Sequence, residues 1–137
     1  MFLLDTNVVS ELRKARRADR HVRRWAAGIS PAGFYLSAIS VLELEVGVLL
    51  VERRDPPQGA MLRAWLEDRV YPAFEDRILP IDGAVARRCA RLHVPNRVSD
   101  RDALIAATAL VHGMTVVTRN IADFRATGAK LLNPWEA

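Results

Sequence analysis

The sequence predicts an α/β fold in which a central, mostly parallel sheet lies between layers of helices. Three observations predict it. Short apolar runs alternate with helical patterns along the chain, the signature of parallel strands joined by helical crossovers. The runs at 2–4 and 115–118 are apolar or β-branched almost throughout, as strands buried on both faces must be. The length of 137 residues, half of them hydrophobic, suits one domain over 1–137 with a core of its own.

The elements follow in order. Phe2 to Leu4 forms the first strand, and a helix is expected from about Asn7 to Ala27, broken or bent at its basic middle. Phe34 to Ser37 is a second strand. A helix from Ile39 to Glu52 follows, with Ile39, Leu42, Val46, Leu49 and Leu50 as its apolar stripe. The segment Arg53 to Gly59 reads as a loop whose prolines suit the start of a new helix. That helix runs from Ala60 to Tyr71, with Leu62, Trp65, Leu66 and Val70 at helical spacing. Arg77 to Ile81 is a strand, and Asp82 caps a helix through about Leu92. Ser99 opens a helix to His112, which Gly113 ends in a left-handed conformation. Thr115 to Thr118 and Lys130 to Leu132 are the last strands.

Composition narrows the function classes. The net charge is +4 and nearly every cation is an arginine, a side chain suited to bidentate contact with phosphate. That balance favours a polyanionic partner. No apolar run approaches the roughly 20 residues needed to cross a membrane, and no leader peptide is readable, so the cytoplasm is the expected compartment. One cysteine, Cys89, cannot make an internal disulfide; it is expected to be a small buried thiol without a metal-binding neighbour. The three histidines form no ligand pattern, and neither a Ser–His–Asp set nor a glycine-rich phosphate loop is present. Trp25, Trp65 and Trp135 follow apolar faces, as core residues do.

Four acids stand at or near strand ends and helix starts: Asp5, Glu43, Asp102 and Asp123. In an open parallel sheet such places lie along one crevice, where ligands bind. Carboxylates gathered there repel one another unless a cation or protons neutralise them. In a basic protein this suggests a divalent metal held against a nucleic acid. Each acid also has a purely structural explanation. Asp5 suits an N-cap, with Thr6 and Asn7 beside it to orient the carboxylate or hold a water. Ser40 and Glu43 match a capping box, although Glu43 also borders the apolar stripe one turn before Gly47, where another segment could approach. Glu45 projects to the other side of that stripe. Ser99 and Asp102 match a second capping box. The helix they open is apolar nearly all round and so buried, and a charge at its mouth needs a partner. Asp123 is a possible turn-former, with Thr118 and Asn120 adding neutral oxygens that could hold a water or a phosphate. Asp82 reads as a helix cap alone.

Together these segments resemble a PIN domain, and more narrowly the VapC/FitB-like toxins of bacterial type II toxin–antitoxin pairs. The carriers are Leu3-Leu4-Asp5-Thr6-Asn7 with Ser10-Glu11-Leu12, then Leu36-Ser37 leading into Glu43-Leu44-Glu45-Val46-Gly47. Arg77 to Asp82, Asp102 to Ala109, Thr118-Arg119-Asn120 with Asp123-Phe124, and Asn133-Pro134-Trp135 follow. The resemblance implies a PIN-like α/β/α sandwich and a Mg²⁺- or Mn²⁺-dependent endoribonuclease. It implies Asp5, Glu43, Asp102 and Asp123 as the acidic quartet, with Asp5 and Asp102 as direct metal ligands. It also implies an RNA substrate, a cognate antitoxin laid across the site, and a homodimer or toxin–antitoxin hetero-oligomer. Two departures stand out: the segment Leu92 to Val98 is short for the family, and position 120 is Asn where some members carry an acid. Two rival readings differ in class. A phosphoacceptor receiver domain needs an acidic pair near the first strand, where Asp5 stands alone. A catalytically silent RNA-binding PIN module would bind without cutting.

Overall fold

A computed structural model describes all 137 residues. The strands are β1 (Phe2–Leu4), β2 (Phe34–Ser37), β3 (Ile78–Leu79), β4 (Thr115–Val117) and β5 (Leu131–Leu132). They form one sheet in the order β3-β2-β1-β4-β5. Every neighbouring pair is parallel, so the sheet expected to be mostly parallel is wholly so. The order also separates it from the receiver fold, whose strands run 2-1-3-4-5.

Helices cover both faces: α1 (Thr6–Leu12), α2 (Arg20–Ala27), α3 (Ala38–Arg54), α4 (Pro56–Trp65), α5 (Tyr71–Ala73), α6 (Gly83–Leu92), α7 (Asp100–His112) and α8 (Ile121–Phe124). Successive strand residues point to opposite faces, which divides the core. Leu4, Leu36 and Val117 meet Val8, Leu44, Val48 and Leu66 on one side. Leu3 and Val116 meet Ile105, Ala106, Ala109 and Phe124 on the other. The small residues Ala103 and Ala107 then let α6 stack on α7 through Val85 and Cys89.

The break expected in the basic middle of 7–27 is present, a turn at Ala15–Arg17 between α1 and α2. Asp19 makes the second start, accepting the N–H groups of His21 and Val22. The expected loop at 53–59 shrinks to Asp55, which ends α3 and caps α4 through the Gln58 N–H. Past Trp65 the helix widens into a π turn over Leu66–Val70. The strand expected at 77–81 pairs only over Ile78–Leu79, and α8 was not anticipated.

The largest correction concerns α3. Its buried residues are Ser40, Leu44 and Val48, whereas Leu42, Leu49 and Leu50 of the expected stripe are 46%, 55% and 61% exposed. The helix is apolar on two flanks, so periodicity alone does not choose between them. The sheet chooses the flank that meets Leu36 and Leu66. Gly47 crowds nothing. The close approach lies at Gly59, where a Cβ would stand 2.3 Å from the Glu52 Cα. There α3 and α4 pass backbone against backbone, so Gly59→Ala should destabilise the protein by about 1–3 kcal/mol, the usual cost of overpacking. Urea unfolding checks this; an unchanged midpoint would mean that the two helices separate freely.

Candidate active site

The strand order reverses between β1 and β4, and a crevice opens beyond the carboxyl ends of such strands. Here it is an open cavity of about 520 Å³, lined by Asp5, Glu43 and Asp102 among other polar side chains. Three of the four expected acids, from separate segments, thus share one cavity.

Asp5 follows β1 directly and is only 6% exposed. Its N–H donates to the Val117 carbonyl at 2.9 Å, extending the ladder to the rim. Its Oδ1 accepts the Thr6 N–H at 2.8 Å. Its Oδ2 accepts the Thr118 hydroxyl at 2.8 Å and the Asn7 amide at 3.3 Å. Capping and presentation into the cavity are therefore combined in one side chain. Burial pushes its carboxyl up from the ordinary range; the Thr118 and Thr6 bonds oppose the shift, and Glu43 and Asp123 add to it. Asn7 acts as a strut, its Oδ1 accepting the Arg119 N–H at 3.4 Å. Thr118 is wholly buried beneath the cavity and accepts the Asn120 N–H, while Asn120 itself borders the cavity.

Glu43 is not in a capping box. Ser37 caps α3, accepting the Ile39 N–H at 3.0 Å, and the Ser40 hydroxyl is buried without a partner. That frees Glu43, whose Oε1 accepts the Thr6 hydroxyl at 2.8 Å while Oε2 lies 3.7 Å from the Arg101 guanidinium. Glu45 is bound elsewhere, by Arg63 at 2.8 Å and by the Tyr71 hydroxyl.

Asp102 is not in a capping box either, since Ser99 makes no side-chain cap. It sits in the first turn of α7, directly before a run of buried residues. Burial, then the charges of Asp5, Asp123 and Glu43, push its carboxyl up from 3.8 to about 6. The short approach to it is closed by the Val98 N–H donating to His93 Nδ1 at 3.1 Å. This leaves the ring proton on Nε2, which stands 3.8 Å from the Cys89 sulfur and 3.6 Å from Asp100. Cys89 therefore has a histidine neighbour, contrary to expectation; their spacing of four residues is a helical turn and was legible.

Asp123 lies in the first turn of α8, exposed at the rim rather than lining the cavity. It acts on Asp5 and Asp102 through charge. Sequence reasoning missed Glu11, Arg13, Lys14, Arg119 and Trp135 as cavity residues. Asn7, Ser10, Glu11 and Lys14 recur at three- and four-residue intervals, a polar helix stripe that could have revealed part of the set. Glu11 is tied to Lys14 at 2.9 Å and to the Asp19 N–H at 2.8 Å, contacts that hold its carboxyl below the usual range. Trp135 packs half-buried against the core, as expected, and also has the Arg119 guanidinium 5.0 Å from its ring centre.

The donors are all hard oxygens, which suit Mg²⁺ or Mn²⁺ rather than a soft ion. No three acidic, histidine or cysteine side chains converge tightly enough to hold an ion alone. Mg²⁺ does not require that: it keeps several waters and binds through one or two carboxylates plus substrate phosphate. The residues present fit such an ion.

Comparison with known proteins agrees with the fold. The PIN domain family model matches residues 2–130. The chain is 40% identical to the VapC ribonuclease Y4jK of Sinorhizobium fredii, covering 99% of both. It is 38% identical to Toxin FitB of Neisseria gonorrhoeae, over 98% of this chain and 99% of that one. The crystal structure of FitAcB from Neisseria gonorrhoeae superposes with a TM-score of 0.91 at 36% identity, covering 100% of each chain.

The raised Asp102 carboxyl predicts a pH dependence of known sign. Between its ordinary 3.8 and about 6 the folded chain holds a proton that the unfolded chain releases. Its ionisation therefore opposes folding, with a penalty that grows across that window and persists above it. In cation-free buffer Asp102→Asn should melt a few degrees above the parent at pH 8, and the two should converge near pH 4. Melting curves check this; a difference independent of pH would contradict the assigned electrostatics.

Proposed function

The chain belongs to the PIN domain family, on the VapC/FitB side of it, and from that premise we propose that it is a metal-dependent endoribonuclease, the toxin of a type II toxin–antitoxin pair. One observation carries the proposal: Asp5, Glu43 and Asp102, from three distant segments, line one cavity, and burial, then the charges of Asp5, Asp123 and Glu43, raise the Asp102 carboxyl there.

In this reading Asp5 and Asp102 hold Mg²⁺ or Mn²⁺ directly, and Glu43 and Asp123 complete the site, partly through water. The ion supplies Lewis acidity and positive charge at the scissile phosphate. The remaining work is done by the chain. Thr118, Asn7 and the Thr6 N–H fix both oxygens of Asp5, so its orientation is set before substrate arrives. The Thr6 hydroxyl does the same for Glu43, joining two of the acids through one residue. Asn120 offers a neutral oxygen at the cavity edge where an acid would add further repulsion. The net charge of +4 favours an RNA backbone over a neutral substrate. A relative named as a toxin supports a cognate antitoxin as partner, and the concentrated acids offer a cationic antitoxin side chain a docking point. The assembly is then a toxin–antitoxin hetero-oligomer or a homodimer of the toxin.

The test is incubation of the purified protein with mixed tRNA, rRNA and mRNA in Mg²⁺, Mn²⁺ or EDTA, with the new ends mapped. Cutting should appear with either metal and vanish in EDTA. Asp5→Asn and Asp102→Asn should each lose at least roughly 100-fold in rate, because even an outer-shell partner is worth 10–100-fold, while both proteins stay folded. Metal-dependent cutting retained by both variants would remove the assignment. RNA binding without cutting would favour the silent module.

A further inference from the structure

The cavity carries cations as well as acids, and two of them stand apart. Glu11 engages Lys14, and Glu43 has Arg101 beside it. Arg13 and Arg119 also line the cavity, yet neither lies within ion-pair distance of a carboxylate. Each instead stands near an indole: Trp135 lines the cavity itself, whereas Trp65 lines a neighbouring hollow that Arg13 also borders. The Arg119 guanidinium lies 5.0 Å from the centre of the Trp135 ring, and that of Arg13 lies 5.9 Å from the centre of the Trp65 ring.

Both indoles are firmly seated. Trp135 sits in a turn over Pro134–Glu136, where the Asn133 side chain accepts the Trp135 N–H at 3.0 Å and Pro134 is buried. Trp65 ends α4 and packs on the core. An aromatic face holds a guanidinium by cation–π attraction, and a guanidinium not engaged by a carboxylate has N–H donors to offer a phosphate. The main chain adds a second constraint, because the Arg119 N–H donates to Asn7, the strut of Asp5.

An acid-rich cavity that takes a polyanion faces an electrostatic difficulty. Phosphates on either side of the one being cut approach the same carboxylates, and a single divalent cation offsets only part of the repulsion. Cations fixed in advance on the cavity walls, and not neutralised by the acids, would offset the rest. We propose that Arg119, held by Trp135 inside the cavity, and Arg13, held by Trp65 where the acidic cavity meets a neighbouring hollow, grip RNA phosphates flanking the acidic cluster. The arginines are the contacts, and the tryptophans are positioning residues that keep their charge from collapsing onto the acids. The inference rests on the ribonuclease reading and adds to it the residues that hold the backbone.

Binding tests it. In an Asp102→Asn background, in which cutting should be at least roughly 100-fold slower, the affinity for a fluorescein-labelled single-stranded RNA 10-mer is measured by anisotropy across a salt series in Mg²⁺. Arg119→Gln should weaken binding about tenfold, the equivalent of roughly 1.4 kcal/mol, and flatten the salt dependence by about 0.7 in slope, one phosphate contact. Arg13→Gln should do the same. Trp135→Leu should weaken binding severalfold with the arginine still present, and Trp135→Phe should restore most of it; circular dichroism melts show that each variant is folded. Wild-type affinity and slope in Arg119→Gln would overturn the proposal, and equal affinity in Trp135→Leu and the parent would overturn the role of the indole. A folded parent that binds no RNA in this assay, while the Asp102-intact protein cuts none, would remove the ribonuclease reading itself. Cutting by the intact protein that is indifferent to Arg119→Gln would remove only the phosphate grip.

Discussion

Asp5 is a buried carboxyl at the end of the central strand, close enough to other acids for their charges to act on it. A charge in that position is costly unless something accepts it. Three donors do so from three directions: the Thr6 N–H, the Asn7 amide and the Thr118 hydroxyl. Their placement depends on the sheet. β1 and β4 are adjacent and parallel, with Leu4 opposite Val117. That register brings the residue after β1 and the residue after β4 side by side although 113 positions separate them. A slip of one residue would turn Thr118 away from Asp5.

The remaining architecture brings acids to this point. α3 starts one residue after β2, and Thr6 reaches across to Glu43. α7 enters the core with Asp102 in its first turn, so a buried alanine-rich helix begins beside the crevice. The result is a cavity whose acids are ordered by the fold yet keep their pKa values raised at Asp5 and Asp102. In the metal-dependent reading proposed above, such a site exchanges protons for a cation. Stability is thereby given up at the place where a ligand would return it.

Much of this was legible in the sequence, for identifiable reasons. Strands buried on both faces announce themselves as apolar runs, and the helix stop at Gly113 was visible because its φ of 66° suits glycine above other residues. The convergence of Asp5, Glu43 and Asp102 on one cavity followed from where strand ends lie in a parallel sheet. What was not legible depended on packing. The buried flank of α3 could not be chosen from a helix apolar on two sides, and the close approach at Gly59 depends on α4 folding back against α3. The capping-box pattern misled twice, because Ser37 rather than Ser40 starts α3 and Ser99 makes no side-chain cap. Arg13 and Arg119 were invisible as a pair, since only the fold places each near a tryptophan. The Cys89–His93 spacing was in plain view and was overlooked.

The central claim is that this acidic cavity exchanges protons for a divalent cation. Calorimetric titration of the protein with Mn²⁺ at pH 6, in two buffers of different ionisation enthalpy, reads both binding and proton release. The account predicts a binding event that releases protons, because cation and proton compete for the same carboxylates, and its loss in Asp5→Asn. An absence of Mn²⁺ binding, or binding that releases no protons and survives that substitution, would contradict it.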